Sequence, residues 1–281
     1  GCGLMGGSFA LAMKRAGLVK RVVGYSKSPS TTERARQMGV IDVEAPSALL
    51  AVSGADIVLL AVPVSATEAT FKAIRHLITS SMLIMDVGST KRDVVDAARR
   101  VLRDHIGSFV PAHPITGKEV SGVDHADPDL YTGKQVILTP IERTQVTHLK
   151  RAQELWEALG CHVQQMAPDA HDAAFAAVSH LPHLLAFALV HGIVNQPQGK
   201  DFLGLAGPGF RDLTRIAASD PKMWRDVLLA NRVELVEQAK VFQRSLLNML
   251  QLAEDGKGEQ LEEMIAQASQ ARGQWRMGQK K

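Results

Sequence analysis

The chain has 281 residues, 46% hydrophobic and 22% charged, so it can bury a substantial core and is neither disordered nor fibrous in composition. A formal charge of +3 is small for this length and does not make nucleic acid the natural partner. Its two cysteines, Cys2 and Cys161, form no metal-ligand spacing and no disulfide framework, so a reducing cytoplasm is the expected compartment.

The first element is Gly1-Cys2-Gly3-Leu4-Met5-Gly6, a complete G-x-G-x-x-G running into a helical stretch at 8–16. Such a turn lays a dinucleotide pyrophosphate on a helix N-terminus. One glycine bends the chain, one lets backbone approach phosphate, and one lets the helix pack on a strand. Gly1, Gly3, Leu4, Met5 and Gly6 are therefore cofactor candidates. Short glycine patterns also occur in loops that only turn; here a second strand at 21–25, ending roughly 20 residues further on, supports the ligand reading. The strand that the motif requires ahead of Gly1 is expected to belong to a preceding stretch of the natural protein. At the end of the second strand stand Ser26-Lys27-Ser28, with Thr31 and Thr32 close behind. NAD-binding units commonly place an acid there, on the ribose hydroxyls. Lys27 can instead neutralise a 2′-phosphate, and Ser26, Ser28 and Thr31 can donate to its oxygens. NADP is thus favoured, with NAD the weaker alternative. An ordinary polar loop with a solvated lysine fits the same residues.

Residues 55–63 read as a buried strand ending at proline, followed by helical spacing at 65–77, a strand at 82–87 and a helix at 91–102. Strands at 108–112 and 135–138 and a helix at 144–159 complete this half. Continuous apolar strands alternating with helices indicate an α/β Rossmann-type domain with a mostly parallel sheet covered on both faces. After Met166 the rhythm changes. From Pro168 almost everything to about residue 271 reads as helix, with breaks at 195–199, 204–209 and 219–221. The expected organisation is a dinucleotide-binding domain over 1–166 and an all-α domain over 167–281, with a cleft between them. Residues 173–194 are apolar and long enough to cross a bilayer. His180, Pro182, His183 and His191 are costly in lipid, so a buried helix of a helical core is expected, with no membrane partner. The extended apolar helices suit pairing between subunits, and a homodimer through the helical domain is expected. The polar tail 272–281 is expected to fray.

Four clusters fall where the cleft should lie. Asp86-Val87-Gly88-Ser89-Thr90-Lys91 sits at a strand end and a helix mouth; Ser89 can orient a catalytic group, contact substrate or cap the helix. In Pro111-Ala112-His113-Pro114-Ile115-Thr116-Gly117-Lys118-Glu119, His113 lies just past a strand, a good place for a general base, although a structural histidine fits equally. Ser179-His180-Leu181-Pro182-His183 puts two histidines on adjacent parts of one helical face. No third ligand has matching spacing, so metal is rejected, leaving substrate contacts or core histidines. Gly209-Phe210-Arg211-Asp212-Leu213-Thr214-Arg215 offers two arginines that can grip carboxylates through paired hydrogen bonds, or a surface helix with Asp212 in an ion pair.

Together these motifs resemble the prephenate/arogenate dehydrogenase family of tyrosine biosynthesis over nearly the whole chain. The resemblance rests on G-C-G-L-M-G-G-S, L-A-V-P, D-V-G-S-T-K, H-P-I-T-G-K-E-V-S-G, S-H-L-P-H-L-L-A-F-A-L and G-F-R-D-L-T-R-I-A-A-S-D-P-K-M-W. The glycines are generic to dinucleotide binders; the last three motifs in this order are specific. The resemblance implies a cyclohexadienol substrate with a ring carboxylate and a pyruvyl or alanyl side chain. It makes His113 the base on the ring 4-hydroxyl and Ser89 the group that orients His113 near the nicotinamide. Arg215 becomes the carboxylate-binding residue, positioned by Arg211 and Asp212. His180 and His183 line the substrate pocket, Lys118 and Glu119 flank it, and Trp224 completes it at or across the dimer interface. Val62 and Pro63 join the cofactor contacts.

Lys118 stands where some relatives carry threonine, and Ser26-Lys27 replaces the acid of NAD-using members. No regulatory domain is expected after the helices and no chorismate mutase segment ahead of the glycines. Tyrosine feedback would then act at the active site or an interface. Two rivals stay in view. A β-hydroxyacid or 6-phosphogluconate-type dehydrogenase would carry a lysine on the first long helix of its second domain, and 173–194 has none. A catalytically silent NADP-binding sensor would keep the glycines and Lys27 but need neither His113 nor Arg215.

Overall fold

The computed structural model describes residues 1–276. The glycine segment leads straight into helix α1 (Leu4–Arg15), followed by β1 (Val23–Gly24), α2 (Pro29–Gln37), β2 (Val43–Glu44), α3 (Ala48–Ala51) and β3 (Ile57–Leu60). Next come α4 (Thr67–Ile74), β4 (Leu83–Asp86), α5 (Arg92–Leu102), β5 (Phe109–Val110), β6 (Ala112–Pro114), β7 (Gln135–Leu138), α6 (Val146–Ala158) and β8 (His162–Gln165). The remainder is helical: α7 (Pro168–Phe175), α8 (Leu181–Val194), α9 (Gly199–Gly204), α10 (Pro208–Thr214), α11 (Pro221–Ala230), α12 (Arg232–Glu254) and α13 (Gly258–Gln274).

β1 pairs with β2, and β3, β4 and β5 pair in that order, all in parallel. β7 joins β6 antiparallel and β8 parallel. The strand expected at 108–112 is therefore two strands. Pro111 has no N–H for a ladder, so pairing breaks there and the chain re-forms as β6 against β7. His113, expected just past a strand, consequently lies inside β6 opposite Ile137.

β4 explains the unbroken apolar run. Leu83 and Met85 pack with Phe9, Met13, Tyr131 and Trp156 on one side, while Ile84 packs with Phe71, Val94, Ala98 and Phe109 on the other. The glycine segment runs between the carboxyl ends of β1 and β3, with Cys2 Sγ beside Gly24 and Gly1 beside the Ala61 carbonyl. Ligands of open parallel sheets bind at that place.

In the helical half, α7 continues into α8 through a π-helical turn at Ala176–His180. The run Pro168–Val194 is long and apolar enough to cross a membrane, with mean hydropathy 1.7, yet only 22% of that stretch is buried. The expectation of a buried helix is corrected accordingly. Val178, Leu189 and Val194 are exposed because the neighbours of α8 within the chain cover only part of its circumference. Val233, Val236, Val241, Leu246, Leu247 and Leu250 of α12 are exposed too, far more apolar surface than scattered residues would give. α13 reaches Gln274, and 277–281 of the tail expected to fray lie outside the described residues.

Phe71 is 0% exposed and meets Phe109 edge-on at 5.3 Å. Phe71→Ala is expected to lower stability by about 3–5 kcal/mol, read by chemical denaturation of the purified variant.

Candidate active site

Helix α1 starts at Leu4 with Gly3 as its N-cap and no side-chain capping bond, so the first-turn amides have no intrahelical acceptor. A Cβ on Gly1 would lie 2.0 Å from Ala61 O, and one on Gly6 would lie 2.0 Å from Gly1 O; neither position tolerates a side chain. A Cβ on Gly3 would meet nothing within 4 Å. The backbone at Gly3 thus faces open space at a helix N-terminus, the cradle a pyrophosphate needs. Val62 borders this turn, and Pro63 beyond it is exposed. Ser26 Oγ accepts from Cys2 N at 2.9 Å, tying the second-strand end to the glycine segment. Nearby, Thr32 Oγ1 accepts from Ser26 N at 3.2 Å, the Ser28 and Ser30 hydroxyls pair at 2.8 Å, and Thr31 N donates to Ser28 O. Lys27 is exposed on this loop.

Next to the cradle lies a buried polar cluster. Asp86, ending β4, pairs with Lys91 Nζ and accepts from Gly88 N at 2.8 Å and Ala112 N at 3.0 Å. Lys91 Nζ also donates to Ala112 O at 2.8 Å, so this ion pair clamps the residue before His113. Asp172 of α7 accepts from Lys91 N at 2.8 Å and Arg92 N at 2.9 Å, where α5 begins. It also bonds His171 Nδ1 at 2.8 Å, and His171 Nε2 lies 2.8 Å from His113 Nδ1. Phe175 stacks on His171 at 4.4 Å and packs on His113 at 4.8 Å.

Burial holds His113 well below the usual histidine range, and its neighbours His171, Lys91 and His180 push the same way. Burial likewise lowers His171 and His183 and pushes His180 down to about 4. At Asp172 burial works upward, but the bonds from His171 and the Arg92 and Lys91 amides outweigh it and keep the carboxyl below its ordinary value.

His180 Nδ1 accepts from Asn231 Nδ2 at 3.1 Å, so in the neutral ring the proton sits on Nε2, a buried atom near the Ser89 backbone that makes no well-formed hydrogen bond among the described residues. His183 donates Nδ1–H to Ser179 O at 2.9 Å and stacks on Trp224 at 3.5 Å, with His180 edge-on to the same indole at 6.2 Å. In a regular α-helix His171 and His180 would be about half a turn out of phase. The π turn between them takes up a residue and swings both toward the cluster.

The other expected site residues are more scattered. Arg215, just after α10, forms an ion pair with Glu119, bridging the helical half to the loop after β6. Arg211 and Asp212 pair with each other at 3.1 Å on the open surface, being consecutive on an exposed helix, and do not hold Arg215. Lys118 is tied back to its own loop through Asp127 at 2.9 Å. Ser89 is half-buried in the β4–α5 turn, and its hydroxyl makes no hydrogen bond among the described residues. The partner found on His113 Nδ1 is His171, not Ser89. The sequence reading passed over His171 and Asp172; their only signal is a pair of titratable residues inside the start of an apolar helix.

The family model for the nucleotide-binding domain of prephenate dehydrogenase matches residues 9–165, and that for its dimerization domain matches 167–267. A prephenate dehydrogenase of Bacillus subtilis is 39% identical over 243 residues, 85% of this chain, which spans 64% of that relative's length. A cyclohexadienyl dehydrogenase of Zymomonas mobilis is 33% identical over 275 residues, covering 97% of this chain and 93% of the relative. The crystal structure of prephenate dehydrogenase from A. aeolicus in complex with hydroxyphenyl propionate and NAD+ matches with a TM-score of 0.90 at 36% identity, over 97% of this chain and 95% of that one.

Four histidines, three buried and His183 half-buried, have lowered pKa values and so bind protons in the unfolded chain before they do so in the folded one. Stability therefore rises with pH across that window and is lost as pH falls from about 6.5 toward the folded values. His180 alone, lowered to about 4, accounts for about 3 kcal/mol of this loss. Urea denaturation at pH 7.5 and pH 5 is expected to show a clearly weaker protein at the lower pH, and His180→Gln a smaller difference between the two.

Proposed function

The chain belongs to the prephenate dehydrogenase family, and from that membership and the geometry above we propose that it oxidatively decarboxylates prephenate, arogenate or both, with NADP as the preferred hydride acceptor. The observation that carries this reading is His113. It is a buried, neutral imidazole with Nδ1 hydrogen-bonded and Nε2 without a hydrogen-bond partner among the described residues, close to a glycine turn that fits a dinucleotide.

Gly1, Gly3, Leu4, Met5 and Gly6 would hold the pyrophosphate. Ser26, Lys27, Ser28 and Thr31 would meet the 2′-phosphate, and Val62 and Pro63 would border the dinucleotide. A nicotinamide bound there supplies the acceptor for hydride from ring C4. His113 Nε2 takes the proton of the ring 4-hydroxyl as that hydride departs, and the Ser89 hydroxyl contacts the same oxygen. The carbonyl formed at C4 is then the electron sink. The bond from the ring to its carboxylate breaks, its electron pair enters the ring, and the C4 oxygen recovers a proton from His113. The products are carbon dioxide and 4-hydroxyphenylpyruvate or tyrosine; aromatisation makes the step irreversible.

Arg215 is the cation for a substrate carboxylate, exchanging Glu119 for it, with Lys118, Arg211 and Asp212 at the periphery. His180, His183 and Trp224 would line the pocket. The division into domains falls between residues 166 and 167. A homodimer through the helical domain would cover the exposed apolar faces of α8 and α12, which supports that domain's assigned role. Two free, buried cysteines support a reducing compartment.

Turnover is to be measured with prephenate and arogenate, each with NADP and NAD. Oxidation of at least one substrate, faster with NADP, is expected; no turnover in any combination from protein that binds NADP would favour a silent sensor. His113→Ala is expected to lower kcat by about 10²–10⁴-fold with dinucleotide affinity intact. Lys27→Ala should raise the KM for NADP about tenfold and leave that for NAD unchanged, and an equal effect on both would remove Lys27 from the 2′-phosphate site.

A further inference from the structure

We propose that His171 and Asp172 are a positioning dyad that fixes the tautomer of His113, so that its unprotonated nitrogen faces the substrate. The inference rests on the reading of His113 as the base, and it adds what that reading leaves open: why Nε2 should carry a lone pair.

The argument is proton bookkeeping along one line of hydrogen bonds. Asp172 accepts from two backbone amides, Lys91 N and Arg92 N, and is held ionised by them. It has no proton to give, so the hydrogen between Asp172 and His171 sits on His171 Nδ1. A neutral His171 then offers only a lone pair at Nε2. The hydrogen between the two rings must accordingly sit on His113 Nδ1, which leaves the lone pair on His113 Nε2. When His113 takes up a proton, both its nitrogens donate, and the charge of Asp172 lies one ring away.

Reversing the first donor reverses every bond. With an amide donating from position 172, His171 would carry its proton on Nε2, His113 would accept at Nδ1, and its outward nitrogen would be N–H and useless as a base. The His171 ring is 0% exposed and stacked on Phe175, so it has no room to turn over and compensate. The dyad belongs to α7 and His113 to β6. The tautomer is therefore set across the junction of the two halves and is specified only while they are docked.

Histidine nitrogen NMR of the full-length ¹⁵N-histidine-labelled protein reads the tautomer directly, with the His113 signals identified by their absence in His113→Asn. Neutral His113 protonated at Nδ1 is expected; protonation at Nε2 would overturn the proposal. In kinetics, His171→Leu removes the acceptor and is expected to lower kcat by at least about 100-fold with KM and dinucleotide affinity little changed. His171→Gln offers an amide oxygen to His113 Nδ1–H and is expected to retain activity within about tenfold. Undiminished kcat in His171→Leu, or losses in kcat and KM together that Gln does not restore, would make His171 a packing residue and end the proposal. If His171→Leu does not fold, the tautomer measurement and His171→Gln decide. A fully active His113→Asn would instead refute the base assignment, and the tautomer measurement would stand apart from it.

Discussion

The carboxylate of Asp172 seated on the first amides of α5 is the contact on which the rest of the site depends. It is a helix cap supplied from another part of the chain, 2.8 and 2.9 Å from the Lys91 and Arg92 nitrogens. A buried carboxylate is costly unless fully bonded. Here the two amides, the positive end of the helix and the His171 ring meet that requirement. Hydrogen bonds to a charged group contribute about 1.5–3 kcal/mol each, so the contact fixes the helical half against the sheet half as well as ordering the end of α5. Beside it, the Asp86–Lys91 pair closes on both the N–H and the carbonyl of Ala112. Two buried carboxylates and one buried lysine are thus used to hold three backbone features: the end of β4, the start of α5 and the residue before His113.

That arrangement explains why the chemistry sits at a junction rather than inside either half. The sheet half contributes the glycine cradle and His113; the helical half contributes His171, His180, His183 and Trp224. Polar contacts join them alongside the packing of Phe175 on His113. Arg92 reaches Asp169 at 2.7 Å and Glu234 at 3.0 Å, Ser65 donates to Asp226 at 2.6 Å, and Arg215 pairs with Glu119. Exposed ion pairs of this kind add little stability. Their value lies in register, because a shift of one residue along α7 would take His171 off His113. The apolar surface the helical half leaves uncovered lies on α8 and α12, so its burial in a homodimer would stiffen the wall carrying the histidines without touching the sheet half.

The glycine turn and the candidate base His113 could be picked out in the sequence for a physical reason: both stand in locally ordered patterns. Gly1 and Gly6 exclude side chains through contacts with Ala61 and with each other, so a fixed spacing of glycines records the shape. His113 follows an apolar strand and is flanked by prolines, one of which, Pro111, also breaks that strand into β5 and β6 in a way the apolar pattern cannot show. The dyad was not legible because neither residue makes its decisive contact locally. His171 and Asp172 meet partners 58 and 81 positions away. The π turn was equally silent, since no residue type demands it, yet it sets which histidines of one long helix share a face. β2 and β8 lack the apolar run that marks a buried strand, being largely exposed. The arginine cluster shows the opposite failure. The family resemblance implied that Arg211 and Asp212 support Arg215, but the two pair with each other as neighbours on an exposed helix, the alternative their spacing had left open.

For His113 as the proposed base, burial poses a difficulty that the proposed dyad would resolve. A histidine held well below its ordinary pKa is always in the basic form at neutral pH, but it is a weaker base at the moment it must take a proton. Lys91, fully buried nearby, makes the imidazolium still less welcome. Two features offset this. In the proposed reaction, loss of hydride would turn an alcohol into a carbonyl, so the hydroxyl proton would become acidic as the transition state is reached and a weak base would suffice. Asp172, one ring away, would supply the negative charge that solvent would otherwise provide, without rearranging, because two backbone amides already hold it in place. Desolvation would keep the proposed base free, and the fixed carboxylate would let it accept charge as the hydride leaves.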